Sequence, residues 1–174
     1  MKKITPIIFI IAALMELLSF DRADVSDSKF KSLSEKYLDT DNYIYVSNEK
    51  YRFSYIDENK DRRFFILTSD YFKDFGYEGY TNLAIVFNNK KEIEELKIYK
   101  SSDTKSYVRK IQFSSFPKKL ASYRSGDEID CITSATVTCK VMISTVEKCY
   151  FLMDSIFNVE NSNVVNSKII GIAK

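Results

Sequence analysis

Seven consecutive residues carry most of the chemical promise of this chain: Asp130, Cys131, Ile132, Thr133, Ser134, Ala135 and Thr136. An acid leads, hydroxyls follow at 133, 134 and 136, and the run enters an amphipathic stretch from Val137 to Phe157. A threonine hydroxyl at the start of a helix is well placed to carry a phosphate as an ester. The first-turn N–H groups lack intrahelical partners, and the positive end of the helix dipole favours an anion. Small residues at Ser134 and Ala135 allow close backbone approach, and Asp130 offers a handle to a modifying enzyme. The same residues have a plainer use. Thr133, Ser134, Thr136 and Thr138 are all N-cap candidates for a structural helix, with Asp130 a loop acid. From spacing alone the plainer use is the stronger reading.

Composition narrows the chemistry. The chain has 174 residues, 45% apolar and 14% aromatic, enough for one packed domain and a terminal extension. It contains 12 Tyr and 13 Phe, expected as core and strand positions, and no histidine. A Ser-His-Asp or Cys-His arrangement cannot be built within the chain, nor can a His-ligated zinc or haem site. The 3 cysteines, Cys131, Cys139 and Cys149, fall short of a four-cysteine cluster. Redox work would therefore fall to a flavin or another organic cofactor. The formal net charge is +2, and without residues 1–20 the remainder is close to neutral. Such a balance lacks the basic footprint that nucleic acid requires.

The elements that must position the motif read as α+β: a mostly antiparallel twisted sheet packed against helices on one side. Lys29 to Leu38 has the spacing of a short amphipathic helix. Tyr43–Val46 and Tyr51–Ile56 read as a hairpin, and Arg63–Thr68 as a third strand. Gly76 to Tyr80 is a glycine-flanked turn before Thr81–Phe87, the most strand-like run. Glu92–Lys100 follows the Asn88–Asn89 turn, with Ile93 out of phase as at a bulge. Tyr107–Ile111 suggests one or two helical turns, and Pro117 the start of a short helix to Tyr123. The helix from about Val137 carries Val141, Ile143, Val146, Cys149, Tyr150, Met153, Ile156 and Phe157 on a broad apolar stripe. Val164 to Ile172 suggests a closing strand.

The N-terminus predicts location. Lys2 and Lys3 precede an apolar run from Ile4 to Phe20, about 25 Å as a helix, at the short limit for a membrane span. It reads as a signal anchor or a cleaved signal peptide over residues 1–23, before a domain spanning 24–174. Either way the charge bias places the domain on the extracytoplasmic side, attached to the cell membrane by a single pass or released. A disulfide is permitted there. Cys139 and Cys149 stand about 15 Å apart along one helix, so burial as small apolar residues is the simpler expectation for all three thiols.

Asp130, Thr133, Ser134, Ala135 and Thr136 resemble the attachment motif of the FMN-binding domain family, which includes the G subunit of Rnf complexes and the C subunit of sodium-translocating NADH:quinone reductases. The similarity is strongest over residues 76–157. There Leu83–Phe87, the Asn88–Asn89 turn and Ile93–Tyr99 match the family's paired strands. The family pattern often continues with another Thr or Ser, here Thr138. The resemblance implies FMN bound covalently to Thr136, moved there from FAD by a flavin transferase. It implies an electron carrier or a subunit of an oxidoreductase complex rather than a stand-alone enzyme. Its partners would be membrane redox subunits or an external acceptor. Asp103 and Thr104 fall in the segment that faces the flavin in the family, and Tyr77, Tyr80 and Tyr107 are candidates to stack on it, with core packing the stronger expectation for each. Ser134 stands where the family usually has glycine; a positive φ there would cost serine about 1 kcal/mol. The rival reading is a non-redox extracytoplasmic binding or assembly module with no covalent flavin.

Overall fold

The computed structural model describes residues 25–48, 50–58, 61–124 and 126–161. The N-terminal apolar run and the expected closing strand lie outside them. Among the described residues no helix is long and apolar enough to cross a membrane.

Helix α1, Asp27–Leu38, starts where Ser26 caps it by accepting the Lys29 N–H, 3.4 Å away. It ends where Asp39 turns left-handed, φ 56°. Phe30, Leu33 and Tyr37 recur at helical spacing and are buried. Five strands follow: β1 Ile44–Ser47, β2 Arg52–Glu58, β3 Asp61–Leu67, β4 Thr81–Phe87 and β5 Ile93–Ser101. They pair antiparallel in chain order, a meander. The turn into β2 is closed by Asn48 Oδ1, which accepts the N–H groups of Lys50 and Tyr51. Asn88 Oδ1 does the same for Lys90 and Glu92 before β5. The expected irregularity at Ile93 is real: the β4–β5 register shifts between Val86 and Phe87, and Phe87 faces Ile93.

Helices cover both faces of the sheet, which corrects the expectation of one covered side. Phe64 and Ile66 of β3 point into a cluster with Leu83, Ile85 and the later helices. Phe65 and Leu67 point the other way, into a cluster with Phe30, Leu33, Tyr37 and Leu38 of α1. The signal lies in β3 and β4. Their apolar residues run without polar alternation, as strands buried on both faces do, and every residue of β4 is buried.

On the first face lie α2, Lys105–Gln112; α3, Phe116–Ala121, with Pro117 in its first turn; and α4, Thr136–Asn161. Helix α4 buries Cys139, Met142, Val146, Cys149, Met153 and Ile156, a stripe at alternating spacings of three and four. Val141 and Ile143, expected on that stripe, flank it half-buried. All three cysteines are free thiols, with Cys139 and Cys149 in the core and Cys131 half-buried. The entrance to α1 is fastened from the sheet. Arg52 grips the buried Asp70 through one guanidinium edge, Nε and Nη2, with Nε 2.9 Å from Oδ2, and its Nη1 donates to the Val25 carbonyl at 2.7 Å.

Candidate functional site

The turn that delivers the chain into α4 is built by one backbone contortion. Ser134 has φ 68°, the left-handed region. The Ala135 N–H returns to the Ile132 carbonyl at 2.9 Å, and the Ala135 carbonyl receives the Cys139 N–H at 3.0 Å. Ala135 is buried and anchors the turn. Thr136 is then the first residue of the helix, with an exposed side chain and only a long 3.5 Å contact from its hydroxyl to the Ile132 carbonyl. The residue before the helix is Ala135, so none of the four hydroxyl residues caps it from that position.

Thr138 differs from Thr136 in every respect. It is fully buried, and its hydroxyl donates to Asp103 Oδ2 at 2.6 Å. Asp103 lies between β5 and α2, only 4% exposed. Its Oδ2 also accepts the Tyr77 N–H at 3.0 Å, and its Oδ1 accepts the N–H groups of Glu78 at 2.9 Å and Thr104 at 2.7 Å. Burial works against the ionised carboxyl. The Thr138 hydroxyl and the Glu78, Thr104 and Tyr77 N–H groups outweigh it and hold Asp103 below the usual carboxylate range.

The carboxylate thus joins the glycine turn, the exit from the sheet and the first turn of α4. Gly76 is required by closeness: a Cβ on it would stand 2.0 Å from Asp103 Oδ2. Gly79 meets a similar limit, its Cβ falling 2.5 Å from the Ser102 carbonyl oxygen. Across the turn the Gly76 N–H donates to the Gly79 carbonyl at 2.7 Å, and the Thr104 hydroxyl donates to Glu78 Oε2 at 2.7 Å.

Between the glycine turn and α4 lies an open cleft of about 170 Å³, lined by Tyr77, Tyr107, Ser134, Thr136 and Val137, with Ala135 and Thr138 behind. That volume is below the roughly 300–1,000 Å³ of sites that enclose a whole ligand. The cleft seats part of a molecule and leaves the rest outside. Lys110 on α2 reaches its edge, where Nζ donates to Ser134 Oγ at 3.1 Å.

Of the residues singled out in the sequence, Thr136, Ser134, Ala135 and Thr138 meet at this cleft. Thr133 is exposed in the preceding turn. Asp130 is exposed and faces a separate polar hollow with Lys119, Asp127 and Glu128. Asp103 and Thr104 are present beside the cleft, but their side chains are engaged with the protein itself. Their contacts hold the glycine turn against the first turn of α4. Sequence reasoning missed Lys110, which carries no motif. Its position two residues before the end of α2 becomes informative only when α2 and the Ser134 turn are seen together.

The arrangement could receive a phosphorylated aromatic group beside Thr136. The hydroxyl is accessible, a helix N-terminus and a lysine supply positive potential, and two tyrosine rings line the adjacent wall. Compared with known families, residues 76–150 match the FMN-binding domain. No curated protein and no solved structure matches the chain.

Proposed function

We propose, from the match of residues 76–150 to the FMN-binding domain family, that this chain is an electron-transfer flavoprotein carrying FMN as a phosphoester on Thr136. One observation carries the choice of residue. The Thr136 hydroxyl is exposed on the first turn of α4 at the cleft, whereas the Thr138 hydroxyl is buried against Asp103.

Attachment proceeds by group transfer. Thr136 Oγ1 loses its proton and forms a bond to the flavin-bearing phosphorus of FAD, the phosphoanhydride bond breaks, and AMP leaves. A flavin transferase supplies the base and recognises the loop around Asp130. Lys110, Ser134 and the first N–H groups of α4 would hold the phosphate group there. The bound flavin supplies the redox chemistry. The protein fixes its location and surroundings.

The apolar run from Ile4 to Phe20 supports an extracytoplasmic domain, tethered by that run or released after its cleavage, where covalent attachment would keep the cofactor from diffusing away. Its electron partners are the subunits of a membrane complex of the Rnf type or an external acceptor. The test is direct. The chain is co-expressed with a flavin transferase and run on a denaturing gel. In-gel flavin fluorescence and a mass gain of one FMN less water are expected, both abolished by Thr136→Ala. A bare Thr136 peptide in cells that hold the attaching enzyme would overturn the proposal and leave a non-redox binding module.

A further inference from the structure

Tyr77 is an anomaly by ordinary packing. It is 58% exposed, yet the backbone that carries it is tied down. Its N–H is held by Asp103 Oδ2 at 3.0 Å, the next N–H is held by Oδ1, and glycines pressed against Asp103 and Ser102 stand on either side. Mobile surface tyrosines do not need such support. The ring touches Tyr107 edge-on, centroids 5.4 Å apart at 70°, and both rings line the cleft beside Thr136. Val137, 49% exposed, continues the same apolar wall. Phe75 and Tyr80, the neighbouring aromatic pair, are packed on each other at 4.1 Å and do not line the cleft.

We infer that Tyr77 and Tyr107 form a preorganised aromatic seat for the isoalloxazine ring of a flavin attached at Thr136. The inference rests on the attachment reading above and adds to it the contact surface. A rigid exposed aromatic with an unoccupied face gains by covering with another π-system, and offset or edge-on ring contacts contribute about 0.5–1.5 kcal/mol beyond area burial. Holding the ring in place beforehand removes the ordering cost of forming the contact. Tyr77 comes from the glycine turn and Tyr107 from the first turn of α2, so the seat unites the same elements that Asp103 joins.

A phenol in contact with a flavin quenches its emission by giving an electron to the excited ring and taking it back. A phenyl ring does not. The full chain is flavinylated by co-expression, and emission per attached flavin is measured for the native protein, the same sample denatured, Tyr77→Phe and Tyr107→Phe. Intact mass reports attachment separately. Dim native emission per attached flavin that rises severalfold on denaturation and in Tyr77→Phe is the expected result. Full attachment with emission the same in all four samples overturns the seat and leaves the attachment intact. No attachment at Thr136 overturns both.

Discussion

The Thr138 hydroxyl and Asp103 Oδ2 form a 2.6 Å hydrogen bond between residues 35 positions apart, both shielded from water. It ties the first turn of α4 to the end of the sheet. A hydrogen bond to a charged group contributes about 1.5–3 kcal/mol. Thr138→Val keeps the shape and removes the donor, so it is expected to lower unfolding free energy by about that amount in urea titrations. Thr136→Ala, at an exposed position, should stay within about 0.5 kcal/mol of the parent. Flavin attachment is expected to sort the opposite way, retained in Thr138→Val and lost in Thr136→Ala.

Acidification addresses the same carboxylate. Asp103 titrates below its ordinary value of 3.8 because its hydrogen bonds outweigh burial. A depressed folded pKa contributes stability that is complete above the unfolded value and lost as pH falls through the folded one. The stability gap between the parent and Asp103→Asn should therefore be constant from neutral pH to about 5 and narrow below about 4. Urea midpoints at pH 7, 5, 4 and 3 measure it. A gap unchanged down to pH 3 would contradict the assignment.

Ser134 holds φ 68° without being glycine. Ser134→Gly removes the Cβ conflict at the cost of greater freedom in the unfolded chain, with an expected net gain of about 0.5 kcal/mol. A β-branched Ser134→Val should destabilise, since such residues resist positive φ. Thermal melts of the three proteins check the order Gly above Ser above Val.

Lys110 places its ammonium at the Ser134 hydroxyl, next to the residue proposed to receive phosphate. Exposed charge pairs are modest, so Lys110→Ala should slow flavin transfer only about two- to fivefold. Lys110→Glu, which puts a negative charge there, should slow it more. The difference should shrink at high salt, where surface charges are screened. Time courses of attachment by intact mass, with melting temperature as the folding control, provide the measurement.

Local pattern made the elements legible. The helix expected at Lys29–Leu38, which in the structure starts at Asp27, the five strands, the bulge at Ile93 and the long helix all follow from periodicity and turn residues. The glycine position filled by Ser134 was legible through family resemblance, and its positive φ confirms the backbone demand there. The cover on the second sheet face was present in the unbroken apolar runs of β3 and β4, but pairing α1 with that face needed the three-dimensional arrangement. The role of Asp103 was hidden for a different reason. Its donors come from Tyr77, Glu78, Thr104 and Thr138, and no local pattern links positions so far apart. Tyr77 had the same difficulty, because its constraint is imposed by a carboxylate 26 residues later.

Arg52 has a mechanical consequence. Val25, the residue whose carbonyl it holds, packs with α1 on the sheet face opposite the one that bears α4. A load at Val25 would fall on the guanidinium clasp and the aromatic layer beneath α1. The exposed Thr136 hydroxyl lies beyond the sheet from that clasp, at the helix that covers the other face.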